Sequence, residues 1–100
     1  MSVVVSAVFK AKPEKESELE KVLRAILPQV QAEKGAVQYA LHRATNDNRQ
    51  FFFYEKYADQ NALDYHMATP YLKELLEGVD GLVAEEPEIN VYEEIAAIKR

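Results

Sequence analysis

Residues 50–57 read Gln50-Phe51-Phe52-Phe53-Tyr54-Glu55-Lys56-Tyr57 and carry the strongest strand signal in the chain. Side chains alternate across a strand, so Phe51 and Phe53 point one way and Phe52 and Tyr54 the other. Both faces are therefore aromatic, which predicts a strand in the middle of a sheet. Immediately upstream, residues 36–44 (AVQYALHRA) also alternate, and Thr45-Asn46-Asp47-Asn48 is turn chemistry. Two strands joined by a short polar turn make a hairpin.

Working outward, residues 2–10 hold Val3, Val4, Val5, Ala7, Val8 and Phe9, apolar on both parities, a second strand with two faces to cover. Pro13 suits the first turn of a helix. Leu19, Val22, Leu23, Ile26 and Val30 recur at spacings of three and four, predicting one helix over about 14–33, kinked at Pro28 and stopped by Gly35. Ser17-Glu18-Leu19-Glu20 matches a capping box but falls inside that helix. Downstream, Asp59 is a good N-cap for a short helix at 60–67. Thr69-Pro70 opens another, with Leu72, Leu75 and Leu76, ending near Gly78. Residues 88–95 alternate Ile89, Val91 and Ile95 with polar partners and read as a last strand.

The order β-α-β-β-α-α-β is a ferredoxin-like α+β arrangement, an antiparallel sheet with helices on one face. The chain, residues 1–100, is expected to be a single domain, since a second would need roughly 50 residues of its own. A domain of this size buries only about two-thirds of the surface its unfolded chain exposes. Helices cover one face of the sheet only. Strands apolar on both faces therefore predict a homodimer packing sheet against sheet.

Composition narrows the function. The chain has no cysteine, which excludes a disulfide scaffold, a thiolate metal site and a Cys nucleophile, and fits a reducing, cytoplasmic location. No signal peptide is expected from MSVVVSAVF, and no apolar run is long enough to span a membrane. With 12 Lys and Arg scattered among 17 acids and a net charge of −5, no nucleic-acid surface is expected. Only three glycines are present and they are not clustered, so there is no phosphate loop. The chain's two histidines are not at metal spacing, so no metal site is expected.

Those histidines are the candidate acid–base groups. Leu63, His66 and Met67 share one helix face, which turns the imidazole toward the sheet. Two readings stand there: a buried histidine bonded to a backbone carbonyl, or a base or hydrogen-bond donor lining a pocket between helix and sheet. His42, on the parity of Gln38 and Ala40, reads as a surface or interface residue. Six of the ten aromatics are tyrosines, which suit either a core or a pocket for a flat phenolic or quinone-like molecule. Glu55, within the aromatic strand, needs a partner, with Arg43 across the hairpin or a helix N-terminus as candidates.

Three stretches together resemble one family. Glu33-Lys34-Gly35 followed by Tyr39 and Leu41 resembles a Glu-x-Gly turn leading into a Tyr-containing strand. Phe51 to Tyr57 resembles a Phe-x-x-Tyr-Glu-x-Trp strand. Asp59, Ala62-Leu63, His66 and Thr69-Pro70-Tyr71 resemble an Ala-Leu-x-x-His helix and the turn after it. The family is the antibiotic biosynthesis monooxygenase superfamily, in its small quinol monooxygenase and autoinducer-degrading isomerase types. The resemblance implies a dimeric α+β barrel, a pocket with His66 at its wall, and oxygenation of phenols or quinols without flavin, haem or metal, hence no cofactor. On that basis His66 is the expected base, and Phe52, Tyr54, Leu63, Met67 and Tyr71 the expected substrate contacts. Tyr57 departs from the family's Trp, and Tyr71 stands where many members have His. Two other functions remain open: a cofactor-free isomerase of a small phosphorylated hydroxyketone, with Arg43 or Lys56 holding the anion, and a non-catalytic dimeric binding module.

Overall fold

The computed structural model describes residues 2–100. The elements run β1 (Val3–Lys10), α1 (Glu16–Arg24), α2 (Leu27–Gln31), β2 (Ala36–Ala44), β3 (Asp47–Tyr57), α3 (Gln60–Met67), α4 (Pro70–Val79) and β4 (Glu88–Glu93). The sheet order is β2-β3-β1-β4, all antiparallel, so the two strands with apolar residues on both faces are the central pair. This is the ferredoxin-like α+β arrangement that the element order predicts.

Several boundaries differ from the sequence reading. The long helix expected over 14–33 is two helices separated at Ala25-Ile26. Pro28 sits in the first turn of α2, where its missing N–H costs nothing, and so starts a helix instead of kinking one. Pro13 lies in the turn before α1, and the next residue, Glu14, has φ of 68°. The hairpin turn is shorter than the four polar residues suggest. Asp47 and Asn48 already belong to β3, and Thr45-Asn46 alone makes the link. The last strand ends at Glu93, and Ile95 follows in an exposed tail.

All four helices lie against one face of the sheet, where the core forms. Val5, Ala7 and Phe9 of β1 meet Phe51, Phe53 and Tyr57 of β3, with Leu19 and Leu23 of α1, Val30 of α2, Leu63 of α3 and Leu75 and Val79 of α4 above them. Phe9 and Phe53 pack edge to face at 6.1 Å. The opposite face carries Val4, Ser6, Val8, Ala40, His42, Phe52, Tyr54 and Lys56, which pair in register with one another. Among the described residues no helix covers them, and Phe52 and Tyr54 are only half-buried.

The parity of β2 depends on one irregularity. Ala36 pairs with Tyr57 and Gln38 with Lys56, which leaves Val37 as an extra, exposed residue. A one-residue bulge exchanges the two faces of everything beyond it. Here it turns Tyr39 inward, opposite Glu55, and His42 outward, opposite Phe52.

Glycines define two close spots. A Cβ on Gly35 would stand 2.4 Å from the Cβ of Ala62, so the turn before β2 and the first turn of α3 touch only because residue 35 has no side chain. Gly81 has φ of 87° and open space around it, so its constraint is purely conformational. Gly35→Ala should therefore force α3 outward and cost about 1–3 kcal/mol, the usual range for overpacking. Gly81→Ala should cost about 1 kcal/mol from backbone strain alone. Urea unfolding of both variants checks the ranking, and only Gly35→Ala should alter the near-ultraviolet signal of the tyrosines around His66.

Candidate active site

The site is assembled from the end of α2 to the start of α4. α2 closes with Glu33 N donating to Val30 O at 2.8 Å, which turns the chain so that the Glu33 carboxyl points into the protein. The Asp59 side chain caps α3 by accepting from Ala62 N at 2.9 Å. One turn later comes His66, 1% exposed, packed between the rings of Tyr39 at 5.3 Å and Tyr57 at 5.4 Å. Thr69 N-caps α4, and its Oγ1 also donates to His66 O at 2.8 Å, tying the two helices together at the histidine.

His66 is not bonded to a backbone carbonyl through its ring. Its Nδ1 lies 2.9 Å from Glu33 Oε2, and Tyr71 donates its hydroxyl to the same oxygen. An oxygen that serves two donors is the acceptor of the triad, so Nδ1 carries a proton, and in the neutral ring that leaves the lone pair on Nε2. Nε2 makes no hydrogen bond to the described residues. Glu33 Oε1 is buried and likewise without a partner among the described residues. Burial and the bond to Glu33 push the Tyr71 phenol up to about 12, which keeps it a donor.

Glu55 corrects another expectation. Arg43 does not reach it. That guanidinium pairs with Glu20 of α1 and lies over the Phe51 ring at 5.4 Å. Lys56 faces the open side of the sheet and pairs with Glu94 at 3.1 Å. Glu55 instead points inward, 5% exposed, and Tyr57 donates its hydroxyl to Glu55 Oε1 at 2.6 Å. Burial pushes the Glu55 carboxyl up to about 7; the Tyr57 bond pulls against this and the Glu33 charge adds to it. Burial and the Glu55 charge also raise the Tyr39 and Tyr57 phenols far above their ordinary range, so both stay neutral donors.

A small cavity, about 30 Å³, runs between this polar cluster and the apolar core. Its walls are Tyr39, Phe53, Glu55 and His66 on the polar side and Val5, Ala7, Phe9, Leu72 and Leu75 on the other. Met67, Leu76 and Ile89 form its rim, each partly in solvent, where α4 stops short of β4. The space holds about one water as it stands. A larger occupant must push those three side chains aside, which the unbranched Met67 does at low cost.

Of the residues expected from sequence to surround a ligand, His66 and Met67 line this cavity. Leu63 is buried beneath α3 with Val5 and Tyr57. Tyr71 serves Glu33 from the far side. Phe52 and Tyr54 are on the opposite face of the sheet, because β3 alternates strictly from Phe51 to Tyr57 and the helices cover the odd-numbered set. His42 is also there, its ring 5.6 Å from that of Phe52. The inward residues that sequence reasoning passed over are Glu33, Tyr39 and Phe53. The Phe51/Phe53/Glu55 parity and the Glu33-Lys34-Gly35 turn were the available signals. Among the described residues no group of three His, Cys, Asp or Glu side chains is placed to hold a metal ion, and no helix is long and apolar enough to cross a membrane.

Comparison with known proteins bears on the family and the fold. A family model described as antibiotic biosynthesis monooxygenase matches residues 2–78, the span from β1 through most of α4. YcnE of Bacillus subtilis is 30% identical over 71 residues, covering 71% of this chain and 75% of that protein. The Synechocystis protein sll1783 is 31% identical over 90 residues, covering 90% of this chain, which spans only 61% of the relative's length. Among solved structures, Rv0793 of Mycobacterium tuberculosis superposes with a TM-score of 0.91 at 24% identity, over 99% of this chain and 100% of that one. PA3566 of Pseudomonas aeruginosa gives 0.86 at 28% identity, covering 95% of each chain.

The buried Glu55 has a consequence for stability. Its carboxyl holds a proton in the folded protein up to about pH 7 but loses it near 4.5 when unfolded. Between those values the folded state binds more protons, so stability falls as pH rises through the window and levels off above it. The slope should integrate to about 3 kcal/mol. Glu55→Gln should flatten it, as measured by urea unfolding at pH 5, 6, 7 and 8. An unchanged slope in the variant would assign the titration to another group.

Proposed function

This chain belongs to the antibiotic biosynthesis monooxygenase family, and we propose that it oxidises a small phenolic or quinol molecule with O2, using His66 as base and no cofactor. The observation that carries the reading is the buried Glu33–His66 pair, with Nδ1 committed to the carboxyl and the imidazole on the wall of a cavity whose other polar groups are neutral donors or acids.

In this mechanism a hydroxylated ring enters past Met67, Leu76 and Ile89 and stacks near Phe53 and Tyr39. His66 Nε2 takes a phenolic proton, and Glu33 steadies the imidazolium that forms. The ring anion, shielded from water, gives electrons to O2 more readily than the neutral phenol. For a hydroquinone, one oxygen atom enters the ring and the other leaves as water, giving a hydroxyquinone. All four electrons come from the substrate, so no external reductant is required. The protein contributes binding, deprotonation and exclusion of water.

Isomerisation of a phosphorylated hydroxyketone receives less support. A phosphate needs a cation at the cavity, and the two candidates, Arg43 and Lys56, are engaged outside it with Glu20 and Glu94. A non-catalytic binding role is favoured by one observation, the tightness of a cavity that admits about one water until its rim moves.

The same reading includes a homodimer. Val4, Val8, Ala40, Phe52 and Tyr54 present an apolar and aromatic sheet face that the helices do not cover, and a second copy is its natural cover. Phe52 and Tyr54 are then interface residues. Phe52→Asp should convert the dimer to monomer in sedimentation at micromolar concentration, with the His66 side of the sheet unaltered. A monomeric parent protein would remove this part of the reading.

Oxygen-electrode assays with a panel of quinols and polyphenols test the chemistry. Uptake should require at least one of these substrates, consume one O2 per ring, and fall about 10²–10⁴-fold in His66→Ala. Full turnover in that variant would exclude His66 as base. Turnover of a substrate without oxygen uptake would favour the isomerase, and ligand binding without turnover the binding module.

A further inference from the structure

Glu55 is the one cavity-lining carboxyl that this mechanism leaves without a role. It stands on the sheet wall, with His66 on the helix wall of the same cavity. Every group that faces it is known. Tyr57, on its own strand, donates to its Oε1 at 2.6 Å. Tyr39 of β2 is its cross-strand partner, and Val5 of β1 is its apolar partner on the other side. From the helix layer come His66 of α3 and the apolar Leu72 and Leu75 of α4, with Glu33 beyond the histidine. No lysine or arginine is in this set.

We propose that Glu55 is a neutral hydrogen-bond donor to the ligand: its protonated carboxyl binds the phenolic oxygen after His66 has taken that oxygen's proton. The proposal deepens the functional reading above and rests on it. Its logic is charge balance. A phenolate beside a carboxylate in a dry cavity would place two like charges together with no cation but the imidazolium to offset them. A protonated carboxyl removes that conflict and supplies an O–H donor. Tyr57 donates to Oε1, and the Tyr39 hydroxyl also hydrogen-bonds this carboxyl, so the carboxyl has two tyrosine partners and its own proton, carried on Oε2, is the donor it offers the ligand. Burial supports the assignment, holding the group near neutrality where an ordinary glutamic acid would be ionised. Such a carboxylic acid, kept neutral by an apolar site, is an established way to bind an oxyanion. In the step itself the ligand O–H bond breaks, the His66 Nε2–H bond forms, and the Glu55 proton is shared in a hydrogen bond without transfer.

The test uses 2-naphthol as probe, because the fluorescence of its neutral and ionised forms differs. With the full chain, the wild-type protein should bind the probe, and its affinity should fall about tenfold or more between pH 7 and pH 8.5 as Glu55 loses its proton. Glu55→Gln keeps an N–H donor at every pH and should bind with a flat profile over that interval, so that it exceeds the wild type at pH 8.5. A second measurement does not depend on the variant binding anything. The infrared carbonyl band of a protonated carboxyl should be present in the ligand-free wild type at pH 6, absent by pH 8.5, and absent throughout in Glu55→Gln. Superimposable wild-type and variant affinity profiles would overturn the role of Glu55 while leaving the phenol reading in place, and so would the lack of the band. Failure of the wild type to bind the probe at any pH would overturn both.

Discussion

The contact between Glu33 and His66 organises the rest of the site. It joins residues from the end of α2 and the end of α3, both buried, and neither can move without uncovering the other. Its length of 2.9 Å is possible because the turn at Gly35 lies directly against Ala62, which lets α3 sit low on the sheet. Thr69 then anchors α4 to the histidine's own carbonyl, and Tyr71, two residues on, returns to the same Glu33 oxygen. A capped helix, a glycine contact and two side-chain bonds thus converge on one imidazole. Such redundancy fixes both its orientation and its tautomer.

Against this sits an unfavourable balance of charge. Glu33 and Glu55 are both buried, the nearest arginine and lysine are paired elsewhere, and tyrosine hydroxyls are the main compensation. A well-packed apolar interior of the same volume would be more stable, since a buried carboxyl costs free energy unless it is paired or protonated. Glu55 stands on the sheet wall of the cavity, where burial raises its carboxyl toward neutrality, and Glu33 stands behind His66. A perturbed acid on a cavity wall beside a buried histidine is a mark of chemistry more than of architecture. That is the physical ground on which family membership and geometry meet here.

The sheet divides the aromatic residues between two tasks. The inward set, Phe9, Tyr39, Phe51, Phe53 and Tyr57, builds the core and the cavity walls. The outward set, Phe52, Tyr54 and Tyr92 with His42, is left on a face that one chain does not cover. Four of the six tyrosines fall under this division, Tyr71 joins the inward set from α4, and Tyr65 of α3 is exposed. Each inward one places its ring in the core and its hydroxyl on a carboxyl, as Tyr57 does on Glu55 and Tyr71, from α4, on Glu33.

Periodicity and turn chemistry were enough to establish the element order, the central position of β3 and β1, the caps at Asp59 and Thr69, and the inward turn of His66. These are local properties, set by alternation, helical spacing and side-chain hydrogen bonding within a few residues. The break between α1 and α2 was less legible, because Pro28 is compatible with both a kink and a helix start. Which aromatic parity meets the helices could not be read at all. Phe51/Phe53 and Phe52/Tyr54 are equally apolar, and only the packing of α1 to α4 on one side chose between them. The same holds for Glu55: Arg43 points to the same face but stands opposite Phe51, four residues away along β3, and pairs with Glu20. The bulge at Val37, which turns Tyr39 inward, and the pairing of Glu33 with a histidine 33 residues away are settled only when β2 and α3 are docked on the sheet. Local sequence specifies the pieces; which groups share a cavity, and therefore which protons they share, is a long-range result of how the pieces close on one another.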